Sequence, residues 1–219
     1  MKLVRQSVKI VSYEKDALKK IEYAGRVAYK SHDKIKSQSY KRFVRLLLDN
    51  KHLSVLEHSS VSFIGVTDRG VSHELVRHRL ASYTQESTRY CNYSLDKFDN
   101  QLTFVIPVWF ETYLTGIDDN YYSYTGPDYE AFKIWYDAMA KAEEYYLSLV
   151  KYLPPEKSRQ VLPLSIKTEI YATMNLRELR HFLELRTKKD VHPQMRQFAL
   201  DLLKQVKEII PIVFDDIGG

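Results

Sequence analysis

Hydrophobic residues recur every three or four positions in five parts of the chain, a spacing that predicts amphipathic helices. These parts are residues 17–28, 43–50, 127–153, 176–186 and 193–210. Apolar and polar residues alternate in four shorter parts, which predict strands: residues 4–11, 61–66, 102–106 and 166–172. We expect the strand at 61–66 to break in phase near Gly65. Since no repeat, linker or low-complexity segment interrupts this order, we predict one domain over residues 1–219.

Polar residues mark where several elements begin or end. Asp16 and Asn175 are placed to cap the helices that follow them, and Glu178 occupies the capping-box position after Asn175. Residues 109–126 are rich in tyrosine and irregular, with a turn predicted at Asp118-Asp119-Asn120. The helix predicted over 127–153 carries an apolar stripe that we assign to the core or to an oligomer interface: Phe132, Trp135, Met139, Ala142 and Tyr146.

Residues 77–90 hold three arginines, one histidine, two serines, two threonines, one glutamine and two tyrosines. Apolar spacing after Gly70 predicts a helix over 71–80, and the density of Ser, Thr and Gln from Ser82 onward predicts a loop. A helix that ends in basic side chains and passes into such a loop could bind a small anion. A solvated basic helix end, favourable to the helix dipole, explains the composition equally well.

Composition restricts the class of protein. Of 219 residues, 44% are hydrophobic and 28% charged, which is typical of a soluble globular protein with one substantial core. The net charge of +5 is modest, and acids alternate with bases along most of the chain, which favours a local anion pocket over a nucleic-acid track. The chain has no apolar run long enough for a bilayer and no secretory pattern at its charged start. We therefore expect a cytoplasmic protein with no membrane partner and no nucleic-acid partner.

Two segments could suggest metal ligands. His52, Glu57 and His58 lie close together, but no further ligand follows at a recognisable spacing, and surface histidines are commoner than metal ligands. His73 and His78 flank a glutamate as in a zinc protease motif, but that motif needs histidines four residues apart on one helical face. Here they are five apart, which places them roughly 140° apart around a helix. We predict no metal site.

The spacing within residues 77–90 is more specific than their composition. Arg-His-Arg, then Ser after two residues, Ser after four more and Arg-Tyr after one more resembles the signature of flavin-dependent thymidylate synthases. Residues 24–29 (Ala-Gly-Arg-Val-Ala-Tyr) resemble the family's Ala-x-Arg-x-x-aromatic stretch, and residues 159–163 (Arg-Gln-Val-Leu-Pro) resemble its Arg-x-x-Leu-Pro element. An Asn-x-Arg pattern followed by Leu-Arg, within residues 175–186, is also similar to the family.

The resemblance implies an α+β fold with a mixed or antiparallel sheet flanked by long helices. It implies conversion of dUMP to dTMP, with methylenetetrahydrofolate as the one-carbon donor and NADPH as the reductant through FAD. The flavin would carry the hydride chemistry, while the protein binds, orients and polarises the reactants. The family also implies a homotetramer with flavin sites shared between subunits.

The family pattern implies a set of flavin contacts: Ser54, Glu57, Arg77, His78, Arg79, Gln85, Asn175, Arg177 and His181. In the family, the segment that includes His52 touches both the flavin and the substrates, so His52 is carried over as a catalytic candidate.

A second set of residues is implied to bind the nucleotide: Glu74, Arg77, Gln85, Glu86, Ser87, Thr88, Arg89, Arg159 and Arg186. Arginines suit the phosphate as bidentate donors. Arg186 is assigned to the pyrimidine, where a fixed cation would favour the ionised uracil and activate its carbon nucleophile.

Some positions depart from the family, and other functions stay open. Glu74 stands where some members carry Gln, Thr88 replaces a Gly, and Gln85-Glu86 differs from a Glu-Leu pair. Ser87 has no evident base partner, and Cys91 could form a thiolate near Arg89, although the family is not expected to need one. The alternatives are a non-catalytic module that binds a nucleotide or single-stranded nucleic acid, and a family member that keeps the flavin but has lost synthase activity.

Overall fold

The computed structural model describes residues 1–117 and 122–218. The chain forms two units by its internal contacts. The first unit comprises Met1–Ser7, Val66–Leu75 and Gln85–Ile170, and the second comprises Val8–Gly65, Val76–Thr84 and Tyr171–Gly219. A single domain over residues 1–219 stays a prediction, and the turn predicted at Asp118-Asp119-Asn120 lies outside the described residues.

The strands are β1 Lys2–Val4, β2 Ser7–Tyr13, β3 Ser60–Asp68, β4 Ala81–Gln85, β5 Thr103–Val105, β6 Leu114–Thr115, β7 Ser123–Tyr124 and β8 Lys167–Asn175. The α-helices are α1 Ala17–Val27, α2 Ser39–Asp49, α3 Arg69–Leu75, α4 Val108–Glu111, α5 Tyr129–Leu149, α6 Pro155–Ser158, α7 Leu176–Arg186 and α8 Pro193–Ile209. Short 3-10 helices lie at His32–Lys34, Leu53–His58, Asp96–Phe98 and Arg159–Val161. The predicted α+β class with long helices is confirmed, and no described helix is long and apolar enough to cross a membrane.

The first unit is built around α5. The apolar stripe predicted for this helix is core, since Phe132, Met139 and Tyr146 are buried in one hydrophobic cluster. Phe132 stacks on Tyr124 of β7 with ring centroids 4.5 Å apart. In the same unit β1 pairs in parallel with β5, whereas β6 pairs antiparallel with β7, so both pairing directions occur.

The second unit contains helices α1, α2, α7 and α8 and the larger part of strands β2, β3, β4 and β8. The four-stranded sheet has the order β2-β3-β8-β4. Helix α7 packs against α8 and against the 3-10 helix Leu53–His58. Four residues at helical spacing on α7 are fully buried, as predicted: Leu176, Leu179, Phe182 and Leu183. The opposite side of α7 exposes Arg177 and His181, so this face is available to a ligand.

The predicted phase break in β3 is wrong. Burial alternates without interruption from Ser60 to Asp68, and Gly65 occupies a buried position in that alternation. Thr67 rather than Val66 takes the next buried position, because its hydroxyl donates a hydrogen bond to Gln6 Oε1 at 2.6 Å. A satisfied threonine can therefore hold a core position that hydropathy alone assigns to valine.

Two predictions for residues 71–85 are also wrong. The helix predicted over 71–80 ends at Leu75, and the loop predicted from Ser82 is strand β4. The Tyr83 hydroxyl donates to the carbonyl of His78 at 2.9 Å, and the buried His78 side chain makes further polar contacts. These tertiary contacts hold residues 76–80 outside the helix, and strand pairing then overrides the turn propensity of Ser and Thr.

The two capping predictions had different outcomes. Asn175 caps α7 through its side chain, which accepts a hydrogen bond from the Glu178 backbone N–H at 2.9 Å. Asp16 occupies the N-cap position of α1 but makes no capping hydrogen bond, and its carboxylate pairs with Lys19 at 2.7 Å instead. The strand predicted over 4–11 is divided between β1 and β2.

Candidate active site

In the first unit, Glu86 lies directly after β4 and is the centre of a group that we call the Glu86 cluster: Arg69, Glu86, Tyr93 and Lys167. The Glu86 carboxylate accepts hydrogen bonds from the Tyr93 hydroxyl and from Lys167 Nζ, each at 2.8 Å. Arg69 donates to the Glu86 backbone carbonyl at 2.8 Å. Burial, followed by the charge of Glu86, raises the pKa of Tyr93. Tyr93 is therefore a neutral donor to a charged acceptor, and the cluster fixes the chain where the candidate nucleotide segment begins.

Gln85 is oriented by two hydroxyl groups of the first unit. Its Nε2 donates to Ser72 Oγ at 2.8 Å and to Thr168 Oγ1 at 3.1 Å. These two bonds use both N–H groups of the amide, so its carbonyl oxygen is the atom left to accept a bond from a ligand.

Residues 87–91 form a turn that carries further nucleotide candidates. The backbone N–H of Cys91 donates to the Ser87 carbonyl at 2.9 Å, and that of Arg89 donates to Ser87 Oγ at 3.3 Å. Thr88 is buried, and Arg159 Nη1 donates to its hydroxyl at 3.3 Å. The Arg89 guanidinium lies 5.2 Å from the centroid of the Tyr90 ring. The structure thus brings Arg159 to Thr88, while Arg89 is exposed.

In the second unit, four residues form what we call the His78 cluster: His78, Glu178, His181 and Arg186. Arg186 Nε lies 3.1 Å from His78 Nε2, and Glu178 Oε1 lies 3.3 Å from His78 Nδ1. Because arginine can only donate, Nε2 must be the unprotonated nitrogen of the ring. The proton of the neutral imidazole is therefore on Nδ1, which donates to the Glu178 carboxylate.

Electrostatics favour the same protonation state. Burial lowers the pKa of His78 from 6.5 to about 4, assisted by the nearby charges of Arg186 and His181. Burial also raises the pKa of the Glu178 carboxyl, which His181 partly opposes. The distance between His78 and Glu178 would suit an ion pair, but the His78 pKa makes this a hydrogen bond of a neutral ring at neutral pH.

A cavity of about 460 Å³ lies in the second unit beside this cluster. Its lining combines two leucines with polar and charged side chains: Leu53, Glu57, Leu80, Asn175, Arg177, Glu178, Arg180, His181 and Glu184. Arg177 and Glu57 pair at 2.6 Å, with about half of each side chain exposed. The volume lies in the range typical of ligand sites, which combine an apolar lining with a few placed polar groups.

The remaining candidates of the second unit lie on the surface: His52, Ser54, Arg77 and Arg79. The candidate residues divide between the units in a simple way. The flavin candidates belong to the second unit, except Gln85. The nucleotide candidates belong to the first unit, except Arg77 and Arg186, and among them Glu74 is half-buried on α3.

Sequence analysis missed three residues that position candidates: Lys167, Tyr93 and Glu178. Lys167 begins an alternating strand and Tyr93 is one of seventeen tyrosines, so neither has a distinguishing local pattern. Glu178 was assigned to a capping box, and its backbone N–H does take part in the cap. Its carboxylate instead contacts His78, which is 100 positions away in sequence. A glutamate on the same helical face as Phe182 and Leu179 was the available signal, because a charge on an apolar face needs a partner.

Comparisons with known proteins agree on one family. Residues 9–212 match the family described as Thymidylate synthase complementing protein. A protein named flavin-dependent thymidylate synthase from Pyrococcus abyssi is 33% identical over 217 residues, covering 94% of this chain and 82% of that protein. A protein of the same name from Geobacter sulfurreducens is 32% identical over 219 residues, covering 96% and 86%. The crystal structure of the UMP/dUMP methylase PolB from Streptomyces cacaoi, bound with 5-Br dUMP, aligns with a TM-score of 0.79 and 26% identity, covering 98% of this chain and 96% of that one.

Proposed function

Because this chain belongs to the flavin-dependent thymidylate synthase family, we propose that it converts dUMP to dTMP, with FAD as cofactor, methylenetetrahydrofolate as one-carbon donor and NADPH as reductant. Enzymes of this family are methyltransferases. The observation that carries the proposal is the contact of Arg186 with a neutral, doubly hydrogen-bonded His78. The neutral His78 ring does not offset the positive charge of the Arg186 guanidinium.

Arg186 is the residue that we propose to activate the uracil. An arginine stays protonated at any physiological pH, so it supplies a permanent charge. Placed at the pyrimidine, that charge stabilises the ionised ring and raises the nucleophilicity of its carbon. His78 adds no competing positive charge, because its pKa is about 4.

The residues of the second-unit cavity fit a flavin. Leu53 and Leu80 offer apolar surface to a flat ring, and the Leu80 side chain is 72% exposed as it stands. Arg177, Asn175 and His181 offer polar groups at the same cavity. When bound, the flavin supplies the hydride chemistry of the reaction. We propose that the remaining flavin contacts come from Ser54, Glu57, Arg77, His78, Arg79 and Gln85, with His52 as a catalytic candidate.

The first unit supplies the proposed phosphate contacts. Arg89 lies within the turn at residues 87–91, and Arg159 contacts Thr88 of that turn, whose hydroxyl and backbone groups can complete an anion site. The Gln85 carbonyl oxygen is oriented to accept a bond, which suits a donor group of the nucleotide. The Glu86 carboxylate is already paired with Tyr93 and Lys167. We propose that Glu86 contributes to the nucleotide site by fixing this segment, with Glu74, Ser87 and Thr88 as further contacts.

We also propose that the protein is a cytoplasmic homotetramer with shared active sites. Several large apolar side chains in and next to residues 77–90 are exposed, among them Leu80 at 72% and Tyr90 at 76%. Exposed apolar residues grouped along one segment are typical of surfaces that associate. Light scattering after size-exclusion chromatography measures the assembly, and a monomeric protein would contradict this part of the proposal.

The test of function starts from the visible absorption spectrum of the purified protein, with FAD added if it is colourless. Under argon, NADPH should bleach the flavin, and dUMP should accelerate the bleaching. Addition of methylenetetrahydrofolate should then yield dTMP. Failure to bind FAD would overturn the proposal and direct attention to binding of single-stranded nucleic acid, whereas flavin reduction without dTMP would indicate a member that has lost synthase activity.

Arg186→Gln is the matched variant for the uracil step. We expect it to retain FAD while dTMP formation falls by two orders of magnitude or more, as when a single charge-stabilising group is removed from an active site. Arg45→Gln, on the exposed side of α2, is the control and should change neither property.

A further inference from the structure

Glu178 is a buried carboxylate that the proposed mechanism does not use. Its side chain is 7% exposed on α7, and its Oε1 lies 3.3 Å from His78 Nδ1. Burying a carboxylate is costly unless a hydrogen bond compensates it. Its position next to a candidate active-site histidine therefore calls for an explanation.

The hydrogen-bond polarity of the cluster supplies that explanation. Arg186 donates to His78 Nε2 and cannot accept a bond, so the contact exists only when Nε2 carries no proton. A neutral imidazole has two tautomers, and the partner of the other nitrogen decides which one is populated. An acceptor at Nδ1 selects the tautomer that Arg186 requires, and Glu178 is that acceptor.

The surroundings of His78 restrict its orientation further. The Phe182 ring meets the imidazole edge-on at 5.0 Å between centroids, and the His181 ring does so at 5.8 Å. The backbone carbonyl of His78 accepts a hydrogen bond from the hydroxyl of the half-buried Tyr83. The groups that face Glu178 electrostatically are His78, Tyr83 and His181. His78 therefore has little freedom to move, and its protonation pattern is the variable that Glu178 controls.

We propose that Glu178 is a positioning residue, which fixes the tautomer of His78 and thereby holds the Arg186 guanidinium in place for the pyrimidine. This inference rests on the proposed function of Arg186. Without the acceptor, the imidazole proton moves to Nε2 and faces the Arg186 N–H, donor against donor. Arg186 then turns away from His78, and the charge aimed at the substrate is displaced.

The substitutions Glu178→Gln and Glu178→Leu distinguish the effect of losing the hydrogen-bond acceptor from the effect of changing the side-chain volume. Gln retains an acceptor oxygen near Nδ1, whereas Leu has a similar volume and no acceptor. With selective ¹⁵N-histidine labelling, we expect His78 of the wild type and of Glu178→Gln to show the proton on Nδ1. We expect Glu178→Leu to show it on Nε2. The ¹⁵N signal that disappears in His78→Gln is assigned to His78.

Turnover gives the second readout. We expect kcat for dTMP formation to fall at least tenfold in Glu178→Leu, with FAD still bound, and to stay within about threefold of the wild type in Glu178→Gln. Glu208→Gln, an exposed carboxyl on α8, is the control. An unchanged tautomer in Glu178→Leu would overturn the proposal, as would a Glu178→Gln variant that loses as much turnover as Glu178→Leu.

A substitute variant and a measurement on the free protein complete the test. Should Glu178→Leu fail to fold, Glu178→Asp withdraws the acceptor by one methylene, and the same change of tautomer and turnover is expected in reduced degree. If Arg186→Gln turns over normally, the proposed function of Arg186 fails. The tautomer measurement on the free protein still judges whether Glu178 controls His78.

Discussion

The Glu86 cluster of the first unit and the His78 cluster of the second unit use the same residue type in opposite ways. In each, a buried or nearly buried glutamate meets a donor from a distant part of the chain. Lys167 gives Glu86 a full ion pair, supported by the Tyr93 hydroxyl. Glu178 accepts a hydrogen bond from a neutral imidazole, and burial keeps its pKa raised.

The Glu86 cluster is therefore a structural site, whereas the His78 cluster keeps its opposite charges apart. The Glu86 carboxylate is charge-compensated, so it stabilises the fold and presents no net charge to a ligand. The His78 cluster holds its positive charge at Arg186, and the carboxylate lies on the far side of the ring. Breaking the first cluster should therefore affect stability most, whereas perturbing the second should affect protonation and turnover.

The largest effect on stability is expected for Lys167→Met. The substitution leaves the Glu86 carboxylate, only 13% exposed, with a tyrosine as its remaining side-chain partner. Removing one partner of a buried pair costs about 3–5 kcal/mol, and partial exposure reduces this to about 2 kcal/mol. Denaturation in urea at neutral pH measures the free energy of unfolding.

The double variant Lys167→Met/Glu86→Gln is the control, because it removes the charge as well as its partner. It should recover at least half of the loss. Lys141→Met, which breaks an exposed pair with Glu144, should cost less than about 0.5 kcal/mol. Equal stability of Lys167→Met and the wild type would contradict the view that the Glu86 cluster is structural.

A smaller change in the free energy of unfolding is expected when the pH is lowered, because His78 is held neutral in the folded protein. The folded pKa of His78 is about 4 and the unfolded value about 6.5, so between these values the unfolded state binds more protons. The free energy of unfolding therefore falls as the pH is lowered from 6.5 towards 4. Glu178 acts in the opposite sense, because its folded pKa is raised and its protonation relieves a buried charge.

The full shift of the His78 pKa corresponds to about 3 kcal/mol, of which about 1–2 kcal/mol falls within the narrower range from pH 6.5 to pH 4.5. We expect His78→Gln to lose that much less stability than the wild type between pH 6.5 and pH 4.5. His58→Gln, at an exposed position, should follow the wild type. Parallel curves for His78→Gln and the wild type would show that His78 is not held neutral by the fold.

The smallest effect on stability is expected at the cavity rim. Arg177 and Glu57 pair at 2.6 Å, but the side chains are 51% and 45% exposed. Arg177→Gln should change the free energy of unfolding by less than about 1 kcal/mol. We expect it to weaken FAD binding about tenfold, measured by quenching of flavin fluorescence. Tight FAD binding combined with a large loss of stability would assign this pair to the fold instead of the ligand.

Periodicity predicted the helices well, because their apolar faces are long enough to repeat. The buried face of α7 and the core stripe of α5 follow directly from spacing of three and four residues. Residues 76–85 could not be predicted in this way. His78 is buried by contacts with α7, and β4 forms against a strand far along the chain, so neither leaves a local pattern.

The candidate site was predictable to a similar degree. The signature at 77–90 indicated which residue types meet a nucleotide and a flavin, and the motif includes His78. It could not indicate that Arg186 and Glu178 contact the two nitrogens of that histidine, since both contacts join positions about a hundred residues apart. Lys167 was missed for the same reason.

Because both nitrogens of His78 are hydrogen-bonded, this imidazole is restricted as a group for proton transfer. An imidazole shuttles protons only if one nitrogen can release a proton while the other takes one up. Here Nε2 faces a permanent donor, and Nδ1 is engaged with Glu178. His78 is thus closed as a relay, and a proton released by a bound substrate would need a route that does not pass through this imidazole.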